Sequence, residues 1–317
     1  AVVEGIPLIL LETGGPDSIS SYSTGSGTKT LDFIYTISDQ HNTSDLDYRD
    51  GNSLMGSIKD FVGNNANLAL PNPGAVGSLG YNKDIVIDNI GPSVTAVSSS
   101  NEDGAYRAGE VIVITLSLNE TTIVTGIPQI ALETGVTDGV GIYSSGSGST
   151  SLSFNFTVDA SHNSPDLAYT STTALILNGG TIKDKVGLNA DLMLPVPGQS
   201  GSLSSNKNII IDNIAPTIST ASIQDNGIIP VLADSKIIFT TTEGVTGAEI
   251  LLESKLGDSV TGELTVDDPT HVSVNLSSPF TSGDELTLTI NELTDYAGNV
   301  TNGSVYNYNI SLIADYN

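Results

Sequence analysis

The sequence predicts an all-β fold of antiparallel sandwiches repeated in tandem. Three observations lead there. Short runs alternate apolar and polar residues with a period of two, as half-buried strands do. Gly, Asn, Asp, Ser and Pro gather between the runs, where turns need them. Residues 5–92 are then written a second time at 126–216.

Taken in order, the runs agree with one another. Leu31, Phe33, Tyr35 and Ile37 alternate along 31–37. Ile112, Ile114, Leu116 and Leu118 alternate with Val113, Thr115 and Ser117. Leu152, Phe154, Phe156 and Val158 do the same with Ser153, Asn155 and Thr157. Val272, Val274 and Leu276, then Leu286, Leu288 and Ile290, continue the pattern in the last third. GSGS at 146–149 lies between two runs. It reads as a hairpin turn, because no helix follows to make it a phosphate cradle. No segment shows sustained helical periodicity. Many short strands with turns between them make an antiparallel sandwich.

The duplication is close. GIPLILLETG at 5–14 returns as GIPQIALETG at 126–135, an offset of 121. SIKDFVGNNANLALPNPGAVGSL at 57–79 returns as TIKDKVGLNADLMLPVPGQSGSL at 181–203, an offset of 124. One small insertion between 49 and 57 accounts for the difference. A fixed period marks an array of like units. IDNIGP at 87–92 and IDNIAP at 211–216 each end a strand with a Pro after it, and Pro cannot donate to a ladder. The predicted units are 1–89, 90–213 and 214–317. The third is divergent, but TTTEGVTG at 240–247 answers SLNETTIVTG at 117–126, and TDYAGN at 294–299 answers IKDKVG at 182–187.

Aligning Ala1 with Thr122 leaves the first unit without counterparts of residues 92–121, which should be its first two strands. A sandwich without them exposes core and sheet edge. The expectation is that they lie upstream in a longer parent or come from another chain. Ala1 opens directly into AVVEGIPLILLETG with no basic stretch before it, which reads as a mature or excised segment.

Composition narrows the function classes. The chain has 10 Lys+Arg against 36 Asp+Glu, a net charge of −26. Phosphate backbones demand basic surface, so no nucleic-acid partner is expected. Anionic membrane surfaces are disfavoured for the same reason. No apolar run reaches the length of a spanning helix, so no membrane insertion is expected in this segment. Charge this one-sided repels itself unless cations neutralise it, which suits an extracellular, cation-rich medium. With no Cys, disulfides and thiolate metal sites are excluded.

The stretches NEDGAYRAGEVIVITLSLNE at 101–120, ITLSLNETTIVTGIPQIALETG at 114–135, YSSGSGSTSLSFNFTV at 143–158, LNGGTIKDKVGLNADLMLP at 177–195 and NIIIDNIAP at 208–216 occur in this order. Together they resemble the tandem bacterial immunoglobulin-like repeats of large cell-surface adhesins, over nearly all of 5–216. The resemblance implies immunoglobulin-like sandwiches arranged end to end, in an extracellular stalk, spacer or adhesive array at the bacterial surface. Its partners would be neighbouring domains of the same protein or identical subunits, and a cell-surface or matrix ligand.

Carboxylates near the junctions are the candidate site. In an antiparallel sandwich with a strand near 190–195 opposed to the last strand at 208–212, the loop after Asp184 faces the third unit. The turn Asn101-Glu102-Asp103-Gly104 is expected there too. This places Glu102, Asp103, Asp184 and Asp212 near Glu243, and Asp60, Asn65 and Asp88 near Glu120. Hard oxygen ligands in such numbers suit Ca²⁺, which takes six to eight of them. The resemblance points the same way, since some adhesin repeats rigidify their joints with calcium. The competing reading is that Asp-x-x-Gly-Asn and Asp-Gly are ordinary turn chemistry. Asp315-Tyr316-Asn317 also has the opening residues of a D-x-N-x-D-G loop.

Catalytic readings are weaker. His41 and His162 hold equivalent repeat positions in polar loops, which favours a structural role over general-base work with Asp45 or Ser44. Glu12 and Glu133, with Asp47 and Asp50, offer carboxylate pairs for glycoside cleavage, but such pairs arise freely in so acidic a chain. No nucleophile elbow or phosphate-loop motif appears. The expected function is therefore a non-enzymatic structural or adhesive repeat segment. The alternatives are a self-assembling filament or surface-layer subunit completed by strand donation, and an accessory sugar-binding region. With no Trp and 5% aromatics, an aromatic sugar platform is the least supported.

Overall fold

Sequence alternation becomes strand geometry along most of the chain. The computed structural model describes residues 1–230, 235–257, 261–277 and 280–311. The strand Val111–Thr125 buries Ile112, Ile114, Leu116 and Leu118, with Val113 and Thr115 half-buried and Ser117 exposed between them. Backbone contacts divide the chain into two units. One comprises Ala1–Ser93, Glu120–Val124 and Thr181–Asp191, and the other Val94–Asn119, Thr125–Gly180 and Leu192–Asn317.

In the first unit, Val2–Glu12 is the organising strand. It pairs antiparallel with Ser18–Thr24, Asp47–Tyr48 and Leu54–Lys59. Asp32–Ile34 joins beyond Ser18–Thr24 and forms the edge of the sheet. The strand expected over 31–37 is therefore paired only in its first half, at Asp32–Ile34, and no strand of its own sheet flanks its outer side. The core is small: Leu11, Leu46, Tyr48 and Ile87 are buried, with Ile9, Tyr35, Leu70 and Leu79 half-buried against them.

In the second unit, Gln129–Glu133, Gly139–Ser145 and Ser149–Thr157 form consecutive antiparallel neighbours. Ser149–Thr157 then lies beside Val111–Thr125, which also pairs with Val94–Ser99. The hairpin turn at 146–149 is where the sequence puts it. Gly146 has φ 111°, and a Cβ there would lie 2.1 Å from the Ser151 carbonyl oxygen, so only glycine fits. Val97, Ile112, Ile114, Leu116, Ile130 and Phe154 are fully buried.

The rest of this unit is a pair of four-stranded sheets. One runs Ile218–Ala221, Ser235–Thr241, His271–Ser277, Thr261–Asp268, and the other Ile228–Pro230, Val300–Ser311, Glu285–Asp295, Val245–Ser254. Ile237 and Phe239 of the first share a core with Leu286, Leu288 and Tyr308 of the second. Side chains meeting between two sheet faces define a sandwich. The all-β, antiparallel fold is as predicted.

One local expectation fails. No strand forms near 190–195; Asp191 makes only an isolated parallel bridge with Ser93. Pro195 and Pro197 have no N–H to donate, and Ser202 leads into a helical turn at Leu203–Asn206. Ile209–Ile211 then pairs parallel, not antiparallel, with Gly104–Tyr106. No antiparallel strand before Ile209–Ile211 therefore carries the Asp184 loop towards the pole expected for it.

Candidate cation sites at the Ile-Asp-Asn motifs

The motif Ile-Asp-Asn occurs at 87–89 and 211–213, and each residue has the same task in both copies. The Ile is buried and its backbone is bridged, Ile87 to Thr43 and Ile211 to Ser164. The Asn holds a histidine loop. Asn89 Nδ2 donates to the His41 and Ser38 carbonyls at 2.8 and 3.2 Å. Asn213 Nδ2 donates to the His162 and Asp159 carbonyls at 2.7 and 3.1 Å. The Asp between them faces the other way, into a group of carboxylates.

Asp88 meets Glu120 and Asp184, and one carboxylate oxygen of each lies within 4.8 Å of the others. Asp212, Glu243 and Asp295 form a second group on the same criterion. Each group has the same parts: the motif Asp, a Glu late in or just after a long strand, and the Asp of a D-x-x-G loop. Burial and the charges of Asp88 and Asp184 push the Glu120 carboxyl above its usual range. Burial, then Asp212 and Asp295, push Glu243 up to about 6. Like charges this close disfavour ionisation unless a cation joins them.

The D-x-x-G loops explain which oxygens are free. Asp60 Oδ1 accepts from Val62 N and Asn64 N, both at 2.9 Å, and Oδ2 accepts from Asn64 Nδ2 at 2.8 Å. Asp295 repeats this with Asn299 N at 2.8 Å and Asn299 Nδ2 at 2.9 Å. Asp184 Oδ1 accepts from the backbone N–H groups of Val186, Gly187 and Leu188. Leu188 stands where the other loops have Asn, so Asp184 Oδ2 has no partner, although the residue is only 3% exposed. Glu243 Oε1 is likewise buried without a partner. An orphaned buried carboxylate oxygen is costly, and both orphans belong to the carboxylate groups. The donor set is all oxygen, which fits a hard divalent cation such as Ca²⁺.

The structure rearranges the sequence-predicted set. Asp88 and Glu120 come together as expected, and so do Asp212 and Glu243. Asp184 joins Asp88 and Glu120 instead of the Glu243 group, because its loop follows the short strand Thr181–Lys183 and not an antiparallel strand near 190–195. Asp60 and Asn65 stay apart from Asp88 and Glu120: the Asp60 carboxylate is exposed and serves its own turn, and Asn65 bridges to Lys59. Glu102 and Asp103 are outside the second group. The Glu102 carbonyl accepts from Tyr106 Oη, and Asp103 faces Lys207 Nζ at 3.8 Å and accepts from Asn208 N at 3.1 Å. Asp295 was not among the predicted ligands, although TDYAGN aligned with the Asp184 loop and carried the signal. Asp315, Tyr316 and Asn317 lie outside the described residues.

The second group lines a depression of about 460 Å³ with Gly104, Ala105 and Tyr296. Arg107 approaches its loop and donates to the Gly298 carbonyl.

The histidines serve their loops. His41 Nδ1 takes part in hydrogen bonds with Tyr35 Oη and Ser38 N. His162 Nδ1 accepts from Asp159 N at 2.9 Å while its ring packs on Phe156, centroids 5.3 Å apart. Of the carboxylates considered for glycoside cleavage, Asp47 is buried and accepts from Tyr48 N and Gly74 N. No described helix is long and apolar enough to cross a membrane.

No family model matches the chain, and no curated protein matches it. Among solved structures it is similar to the I9–I11 tandem from titin, with 8% identity, 68% of this chain and 65% of that one covered, and a TM-score of 0.29. For the I-band fragment I67–I69 from titin the values are 9%, 70%, 66% and 0.31. For Rst D1-D2 they are 10%, 68%, 99% and 0.24. The chain thus spans about two thirds of the length of the titin fragments it matches. TM-scores this low carry no argument, and the sandwich assignment rests on the strands themselves.

Proposed function

We propose that this chain is a non-enzymatic repeat segment of a large bacterial cell-surface protein, serving outside the cell as a stalk or spacer. Its repeats are 1–89, 90–213 and 214–317, and bound Ca²⁺ stiffens their junctions. The observation that carries the reading is the paired construction of the two carboxylate groups, each with one buried, unpartnered oxygen. Duplication would copy any acidic cluster, so the weight lies on the buried carboxylate oxygen without a partner in each group.

Asp88, Glu120 and Asp184 would hold one ion, and Asp212, Glu243 and Asp295 the other. Three carboxylates leave ligand positions for water or backbone oxygens, since Ca²⁺ takes six or more. The ion supplies charge neutralisation and a cross-link between three chain segments. The net charge of −26 makes that neutralisation more valuable. Its partners are neighbouring domains of the same protein or identical subunits, and a cell-surface or matrix ligand.

The test is calorimetric titration of the cation-free chain with Ca²⁺, alongside melting with and without chelator. Binding to the folded state alone stabilises it by mass action. Two sites and a higher melting temperature are expected. Absence of both binding heat and melting shift would overturn the calcium reading.

A further inference from the structure

The first two repeats differ in how their inner faces are covered: the second has its faces covered and the first, without counterparts of 92–121, does not. In the second copy, Val94–Ser99 and the first part of Val111–Thr125 do the covering. Val97 N donates to the Gly201 carbonyl at 2.8 Å, and Asn206 Nδ2 donates to the Val97 carbonyl at 2.8 Å. Ser149–Thr157 lies beside Val111–Thr125, and the ladder is extended by Gly109 N on the Val158 carbonyl and Val158 N on the Glu110 carbonyl. Under that cover Ile130, Phe154 and Leu203 are 0% exposed and Val158 is 2% exposed.

The repeat equivalents in the first copy are Ile9, Phe33, Leu79 and Ile37. Ile9, Phe33 and Leu79 are only half-buried, and Ile37 is 54% exposed. Ile9, Phe33 and Leu79 line an apolar groove of about 440 Å³, whose walls also include Gly77 and Asn82. Asn82, the equivalent of Asn206, turns its Nδ2 onto the Ser78 carbonyl at 2.8 Å. Asp32–Ile34, the equivalent of part of Ser149–Thr157, is a bare sheet edge. The groove therefore retains the acceptor half of a known intramolecular interface: the edge strand, the apolar floor and the Asn that grips a backbone carbonyl.

We propose that this groove is a strand-acceptor site, and that its occupant is a two-strand segment of the same make as residues 94–118. The occupant must offer an unpaired strand to Asp32–Ile34 and an alternating apolar face like that of Ile112, Ile114 and Leu116 to the floor. It must also present a carbonyl to Asn82, as Val97 does to Asn206. Strand addition to an exposed edge draws affinity from main-chain hydrogen bonds and specificity from pockets for alternate side chains. The groove has both. None of these three requirements involves the carboxylate groups, so the proposal stands or falls apart from the calcium reading.

The test uses the full chain and a synthetic peptide of residues 92–121, followed by amide exchange. Uptake should slow exchange about tenfold or more at 31–37 and 46–48, and leave 129–133 and 152–158 unchanged. A peptide carrying Ile114→Asp and Leu116→Asp should give no protection. On the acceptor side, Phe33→Asp should abolish uptake. Its own exchange pattern without peptide, compared with the parent chain, shows whether the sheet is intact, and Asn82→Ala offers a milder variant that should weaken uptake. Equal protection by the Asp-substituted peptide would mean a generic apolar surface and would overturn the proposal. So would a chain that dimerises through this groove and is not displaced by peptide, since the occupant would then be a second copy. No protection at 31–37 at saturating peptide also overturns it.

Discussion

Leu188 donates its backbone N–H to Asp184 Oδ1 at 2.9 Å, and nothing in the loop reaches Oδ2. In the loops of Asp60 and Asp295 an Asn side chain occupies this place and binds the second oxygen. Leu188→Asn should therefore give Oδ2 its missing donor. Satisfying a buried acceptor is worth about 1–3 kcal/mol. The cation-free variant should be more protected from amide exchange around 181–191, and its gain on adding Ca²⁺ should shrink. A variant that keeps the parent's full calcium response would show that Oδ2 is not a ligand.

The two groups should titrate separately, because they share no residue. Asp88→Asn keeps the acceptor that Ile90 N uses, and Asp212→Asn keeps the one for Ile214 N, so each removes charge with little change to the turn. Each should abolish one of the two calorimetric sites and leave the other. At a free cation level of about one hundred times Kd, one site contributes about 2.7 kcal/mol, and that amount should vanish locally. Loss of both sites from one substitution would contradict the assignment of ligands.

Glu243 sets the pH response. Its usual value is 4.5, and burial beside Asp212 and Asp295 raises it to about 6 in the folded chain. Between those values the folded protein holds a proton that the unfolded chain has released. Without cations, the stability this group contributes is fully present below about pH 4.5 and is lost as pH rises through 6. With Ca²⁺ the sign reverses, since the ion holds the carboxylate ionised and is released by protonation only as pH falls further. Melting curves from pH 4 to 7 with and without Ca²⁺ should therefore converge at the acid end. Glu243→Gln should flatten both over this range. Parallel curves with a constant calcium increment would refute the coupling.

The sequence carried more of the fold than of the site. Strands with strict alternation, such as 112–118 and 152–158, appear as read, because burial of one face enforces the period. The stretch 31–37 has the same alternation but forms only Asp32–Ile34, since pairing also needs a neighbour, and alternation does not reveal one. Asp88 with Glu120, and Asp212 with Glu243, were legible from the ends of the strands that carry them at each junction. Asp184 was placed in the wrong group because its position depended on counting strand directions across 190–211. A proline-rich crossing, a helical turn and a parallel pair at Ile209–Ile211 break that count. Asp295 was recoverable: once Asp184 is assigned, TDYAGN aligned on IKDKVG gives its equivalent. The role of Leu188 was also visible, since of the Asp60, Asp184 and Asp295 loops only that of Asp184 lacks an Asn at the fourth position after the Asp, but only the orphaned oxygen gives that difference a meaning.

Phe33 and Phe154 hold the same repeat position, and both meet a tyrosine edge-on, Tyr22 at 6.0 Å and Tyr143 at 5.7 Å between centroids. Their burial differs: Phe154 is fully buried and Phe33 half-buried at the groove. Removing a buried Phe side chain costs about 3–5 kcal/mol, the lost transfer energy plus the cavity left behind. Phe154→Ala should reach that range. Phe33→Ala removes a ring that already meets solvent and leaves no closed cavity, so its cost should be nearer about 1 kcal/mol. Local amide exchange in urea can read the two costs separately in one chain. The comparison also tests the acceptor groove by another route. With the 92–121 peptide bound, Phe33 becomes a covered core residue, and the cost of Phe33→Ala should rise towards that of Phe154→Ala. Equal costs in the absence of peptide would mean that the first core is already closed, and that no strand is needed to complete it.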